Sequence, residues 1–226
     1  YIFQKKKSSE RQHPFAYGWF YGFGFFLTNL YWITISLTFD ESFYFLLPLA
    51  LILIPSFLAL FYGLATYFFF LIKVKKPVSN FFLFSLLFGL TEFLRGNILT
   101  GFPWNLIAYS FSENIEILQI ISFTGTYGFN VLCISFFSSP AIFIIRENRK
   151  EIFVCIFLLL SPIILYSIGS SKIKSFQSIN ISNNEYVIRV IGSKIDLDRF
   201  YGNSNTADVI EELIEISQPD LNTKTI

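Results

Sequence analysis

Thr91-Glu92-Phe93-Leu94-Arg95-Gly96-Asn97-Ile98-Leu99-Thr100-Gly101-Phe102-Pro103-Trp104-Asn105-Leu106-Ile107-Ala108-Tyr109 decides how this chain is read. A carboxylate, a guanidinium, two glycines, a proline and a tryptophan fall close together here, and the flanking chain is almost wholly apolar. Ionisable groups at the end of an apolar span are costly unless paired or hydrated, so they mark function by default.

The rest of the composition agrees with a membrane setting. Of 226 residues, 53% are hydrophobic, 20% aromatic and only 15% charged. Mean hydropathy is +0.54. A soluble domain carries about 25% charged residues, so the deficit and the long apolar runs point to an integral membrane protein. A net charge of +1 gives no electrostatic footprint for nucleic acid. The chain opens at Tyr1 and contains no Met, which leads us to expect a segment of a longer protein.

Five apolar spans follow a basic opening at residues 1–13. They cover about 14–39, 43–72, 81–99, 117–145 and 152–168, and together form a helical membrane domain at 14–169. About 20 apolar residues cross a bilayer, which each span approaches or exceeds. Gly18 and Gly22 have the spacing that lets two helices approach closely. Pro48 and Pro55 are expected to kink the second span. Lys and Arg gather before span one, between spans two and three, and between spans four and five. The positive-inside rule then places the N-terminus in the cytoplasm. The Gly101–Glu116 loop, the Glu92 and Arg95 end of span three, and everything after Ile168 then share the opposite side.

Composition changes at Ser170. Residues 170–184 read as a Ser/Asn/Lys linker. Residues 185–192 alternate and are β-branched, as a strand does. Residues 207–217 put Ile210, Leu213 and Ile214 on one helical face. One strand and one helix bury no core of their own, so an α/β domain is expected to begin at 185–226 and to be cut off.

Glu92 and Arg95, at i and i+3, admit two readings. They form an ion pair that lowers the cost of charge near the bilayer, about 2.5–3.5 kcal/mol for each group at a span centre, or they bind an anionic head group, for which guanidinium geometry is suited. Trp104 and Tyr109 are either interfacial belt aromatics or lipid contacts. Cys133 and Cys155, inside apolar runs, read as small buried hydrophobes. His13 stands beside the basic tail and carries no role. No His, Cys, Asp or Glu cluster has metal-ligand spacing, and no glycine-rich phosphate loop is present. Neither a metal nor a cofactor is expected, and the chain holds no complete set of catalytic residues.

At the opening stretch the sequence resembles a known family. Thr91-Glu92-Phe93-Leu94-Arg95-Gly96, then Leu99-Thr100-Gly101-Phe102-Pro103-Trp104 and Ala108-Tyr109-Ser110, is similar to the central signature of bacterial apolipoprotein N-acyltransferases. Gly18-Trp19-Phe20-Tyr21-Gly22-Phe23-Gly24 with Asn29-Leu30-Tyr31-Trp32 resembles an early membrane helix of that family. Gly125-Thr126-Tyr127-Gly128-Phe129-Asn130 resembles the helix after the signature.

The resemblance implies eight membrane helices carrying a periplasmic nitrilase-like α/β domain, here represented by the third to seventh helices and the first elements of that domain. It implies an inner-membrane monomer that moves an acyl chain from a phospholipid to the diacylglyceryl-cysteine of an apolipoprotein. A Glu/Lys/Cys triad performs this through a thioester. The family's Glu lies in a Trp-Pro-Glu context that this chain does not reach by Ile226. Glu92, Arg95, Trp104 and Tyr109 are the residues expected to contact lipid or to position the catalytic domain. The rival reading is a non-enzymatic polytopic protein such as a transporter subunit, for which internal repeats are the usual sign. None is evident here.

Overall fold

A computed structural model describes residues 13–72, 74–99, 101–178 and 206–217. The chain divides into two units, Tyr1–Ser178 and Ile179–Ile226.

In the first unit, five helical segments are long and apolar enough to cross a membrane: Pro14–Thr38, Glu41–Leu71, Pro77–Asn97, Ile121–Ile145 and Glu151–Gln177. The expected polytopic helical membrane fold is therefore present. The first segment is α1 (Pro14–Leu30), which tightens into a 3-10 helix at Tyr31–Thr38. The second starts as a 3-10 turn at Glu41–Leu46 and becomes α2 (Leu47–Leu71). Asp40 caps that turn by accepting hydrogen bonds from the Ser42 hydroxyl and amide, which hold its carboxyl below the usual range.

Proline placement corrects one expectation. Pro48 lies in the first turn of α2 and starts the helix there, where the missing N–H has no helical partner to lose. Pro55 is the one inside α2. The third segment, α3 (Pro77–Asn97), also opens on a proline, so it begins before the apolar run at Phe81. Next come the short α4 (Ile115–Leu118), then α5 (Ile121–Ser138), a 3-10 turn at Ser139–Ala141 and α6 (Ile142–Ile145). The fourth span thus starts at Ile121 and not Ile117, because the chain turns at Gln119 and Ile120. The fifth, α7 (Glu151–Gln177), continues past Ile168 into the Ser- and Lys-bearing stretch. Extending a formed helix costs far less than starting one, so polar residues carry it on.

Close approach of α1 and α2 follows from Gly18 and Gly22, both buried. A Cβ on Gly18 would lie 2.1 Å from Thr66 Oγ1 and 2.3 Å from the Tyr62 carbonyl oxygen. The main core joins α1, α2, α3 and α5 through Phe26, Leu30, Leu58, Tyr62, Phe88 and Ile134. A second core gathers Leu106, Ala108, Ile117, Phe129 and Cys133 under the chain between α3 and α5. Large hydrophobics such as Phe20, Ile144 and Phe153 point outward, as lipid-facing surface does.

In the second unit, α8 (Thr206–Ser217) matches the helix expected at 207–217. The strand expected at 185–192 lies outside the described residues.

Candidate functional site

The last turns of α3 carry Glu92 and Arg95 inward, and both are buried in the bundle, at 0% and 1% exposure. Two neighbouring helices meet the carboxylate. Tyr62 of α2 donates its hydroxyl to Glu92 Oε1 at 2.6 Å. Asn130 of α5 donates its side-chain amide to Glu92 Oε2. The Asn130 carbonyl oxygen in turn accepts the Ala108 backbone N–H at 2.9 Å. Each carboxylate oxygen thus has a donor, as a buried charge requires.

Arg95 works on the loop that follows its own helix. Nη1 donates to the Phe102 carbonyl at 2.7 Å and to the Trp104 carbonyl at 2.8 Å. The Arg95 carbonyl accepts the Phe102 N–H at 2.9 Å, closing the turn from the other side. Nη2 stands 3.9 Å from Glu92 Oε1, an ion-pair separation beyond hydrogen-bond reach. The guanidinium also lies 5.1 Å from the Phe26 ring centre and 5.9 Å from that of Phe102, within cation–π range.

The loop is held in an uncommon backbone. Leu99 and Asn105 adopt left-handed φ of 58° and 59°, and Gly101 adopts 74°. A bulky residue in that region is a genuine outlier, of the kind that clusters at functional sites. Near Gly96, α3 and α5 almost touch, since a Cβ there would lie 1.9 Å from the Tyr127 hydroxyl.

Trp104 and Tyr109 are the outward members of the expected set. Trp104 is 55% exposed, and its ring meets Trp32 edge-on at 5.8 Å between centres. Tyr109 donates its hydroxyl to the Pro103 carbonyl at 3.1 Å, and burial pushes its phenol above the usual range. All four residues expected from sequence therefore belong to one structure, two as its buried frame and two on its surface. Sequence reasoning did not find Tyr62 or Asn130 as partners of Glu92. Asn130 carried a signal, a polar side chain mid-span, whereas Tyr62 sits in an aromatic-rich run that disguises it.

Among the described residues, no group of three or more His, Cys, Asp or Glu side chains lies close enough to share a metal ion. The carboxylate is fully engaged, and both cysteines are buried, Cys133 in the second core and Cys155 against the Ser139 carbonyl. Chemically, then, the arrangement can fix a shaped loop with an aromatic face.

Comparison with known proteins turns this geometry into a family assignment. The family model for the apolipoprotein N-acyltransferase N-terminal domain matches residues 1–139. The chain belongs to the apolipoprotein N-acyltransferase family. The matched span contains α1 to α3, the clamped loop and Asn130, so the whole polar network falls within the family domain. The apolipoprotein N-acyltransferase of Rhodopseudomonas palustris is 30% identical over 213 residues, which is 92% of this chain and 39% of that protein. That of Brucella melitensis is 30% identical over 203 residues, 89% of this chain and 37% of the relative. That of Rhizobium etli is 38% identical over 139 residues, 60% and 26% respectively. The chain therefore spans about two fifths, or less, of the length of these relatives.

Proposed function

We propose that this chain is the membrane half of an enzyme that transfers an acyl chain from a phospholipid to the N-terminal diacylglyceryl-cysteine of an apolipoprotein. The observation that supports it most is the coincidence of the family domain with the Glu92–Arg95 network and the loop it clamps. The bundle sits in the inner membrane with its N-terminus cytoplasmic. It carries a periplasmic nitrilase-like domain that begins near residue 185. The triad of that domain takes the acyl group from the phospholipid ester as a thioester on its Cys, releasing a lysophospholipid. The apolipoprotein amine then takes the acyl group and frees the thiol. A covalent intermediate divides one difficult transfer into two easier ones.

The membrane half supplies the surface on which the lipid waits. Trp104 and Tyr109 contact it directly. Glu92 and Arg95 act through the loop, by holding the main chain that bears Trp104. Phospholipid reaches this surface laterally from the bilayer, and the enzyme works as a monomer without cofactor.

The test is thioester formation by the full-length protein in vesicles containing acyl-labelled phosphatidylethanolamine. Wild type should form a labelled, hydroxylamine-sensitive adduct. Arg95→Ala should still insert in the membrane but form the adduct more slowly, by about tenfold or more, the rate cost of a misplaced contact. Wild-type rates in that variant would reduce Arg95 to a packing role. A full-length sequence without a Trp-Pro-Glu, a downstream Lys and a Cys would sink the enzyme reading and favour a polytopic protein without catalysis.

A further inference from the structure

At the end of the bundle that carries the basic loops, the helices part around an apolar cavity of about 200 Å³. Phe69 of α2, Phe81 and Phe84 of α3, and Ala141 and Ile145 form its apolar walls, with Asn80 and Ser138 completing the lining. Ser138 turns its hydroxyl back onto the Ile134 carbonyl, so it offers no donor to the space. The cavity is partly open, with Ala141 exposed at the surface.

Such walls give water few hydrogen-bonding partners. In a bilayer the competing occupant is hydrocarbon. The volume lies below the roughly 300–1,000 Å³ of a pocket for a drug-sized ligand, and suits a stretch of one unbranched chain.

Basic residues adjoin the elements that line the cavity. Lys75 and Lys76 directly precede α3, and Arg146 directly follows Ile145; all three are exposed. Lys76 is also the N-cap of α3, where the helix start adds positive potential. Across the two loops, Lys73, Lys75, Lys76, Arg146, Arg149 and Lys150 outnumber Glu147 and Glu151. The carboxylate of Glu151 is engaged by the Glu147 backbone amide at 2.9 Å. Basic groups beside a pocket between membrane helices recognise anionic head groups.

We propose that this cavity holds one acyl chain of an anionic glycerophospholipid whose phosphate rests on Lys75, Lys76 and Arg146. The site lies at the opposite end of α3 from Trp104 and Tyr109, and it stands whether or not the protein transfers acyl groups. Its lipid is a bound structural partner.

The test uses the full-length protein purified in detergent and equilibrated with phosphatidylglycerol and phosphatidylcholine of identical acyl chains. Native mass spectrometry counts what is retained. Wild type should keep one phosphatidylglycerol, preferred over phosphatidylcholine by about fivefold or more, the selectivity of at least one lysine–head-group contact. Ala141→Phe, which fills the cavity, should drop phosphatidylglycerol to background. Ile144→Phe places the same ring on an outward face, 75% exposed, and should keep it. Lys75→Glu/Lys76→Glu/Arg146→Glu should abolish the preference. Equal retention of the two lipids by wild type overturns the proposal, and so does undiminished phosphatidylglycerol in Ala141→Phe. The charge variant leaves the packed helices untouched, so it decides the matter if Ala141→Phe fails to fold: a surviving preference overturns the proposal.

Discussion

Tyr62 on α2 donates its hydroxyl hydrogen to Glu92 on α3 at 2.6 Å, across 30 residues of sequence. The contact joins two membrane helices through a buried charge. Its partner on the far side, Asn130, extends the same unit to α5 and to Ala108 in the loop. Three helices therefore meet at one carboxylate, and Asn130 ties a fourth piece of the chain to it.

Tyr62→Phe keeps the ring in the core beside Phe88 and removes only the donor. Interhelical hydrogen bonds in membranes average about 0.6 kcal/mol and reach about 1.7. The acceptor here is charged and buried, so a loss near the upper figure is expected. Reversible unfolding in mixed micelles would measure it. Wild-type stability in the variant would show that Glu92 does not depend on this bond.

The Glu92 and Arg95 pair should behave as a coupled unit. Glu92→Gln leaves a guanidinium uncompensated among apolar side chains, and removing one partner of a buried pair costs about 3–5 kcal/mol. Arg95→Met leaves the carboxylate in the same position. The double variant should lose less than the sum, with a coupling of about 1 kcal/mol or more. Strict additivity across the four proteins would refute the coupling.

Glycine identity should matter at Gly18 and not at Gly24. In Gly18→Ala the new methyl meets Thr66 and the Tyr62 main chain, so α1 and α2 must move apart at about 1–3 kcal/mol. No atom lies within 4 Å of a Cβ placed on Gly24, so Gly24→Ala should be neutral or gain up to about 1 kcal/mol from helix propensity. Thermal denaturation of the two variants side by side would separate them, and equal losses would exclude close packing as the cause.

The clamped loop offers a test of strain. Leu99 is 79% exposed with φ 58°, so Leu99→Gly gives up little burial and relieves a left-handed conformation costing about 1–2 kcal/mol. A net gain of up to about 1 kcal/mol is expected, after the entropy that glycine adds to the unfolded chain. Gly101→Ala should do the reverse, because φ is 74° and the new Cβ would lie 2.7 Å from the Gly96 carbonyl oxygen. Limited proteolysis within 98–106 is the direct readout. Faster cleavage of Leu99→Gly than of wild type would show that the conformation is not strained.

Much of this was legible in the chain. Apolar runs located the membrane spans because a bilayer enforces length and hydrophobicity together. The Gly18 and Gly22 spacing foretold a close helix crossing for the same steric reason. Glu92 and Arg95 drew attention because charge in an apolar run is rare. Their partners were hidden, since Tyr62 and Asn130 meet Glu92 only through the way helices pack, and no short-range pattern encodes that. Segment ends were misjudged where local chemistry outweighed hydropathy: Pro77 starts α3 ahead of the apolar run, and α7 carries Ser and Lys onward to Gln177. Within α5, Gly125 at φ 67° breaks the helix, which an apolar count over the span does not register.

Arg95 grips the loop through the carbonyls of Phe102 and Trp104, and every residue type presents that same main-chain oxygen. The path of the loop and the side chain displayed at position 104 are thereby separable. Exchanging the displayed ring removes neither of the carbonyl contacts that hold the loop to α3. One arginine fixes the path of the chain and leaves open what is displayed along it.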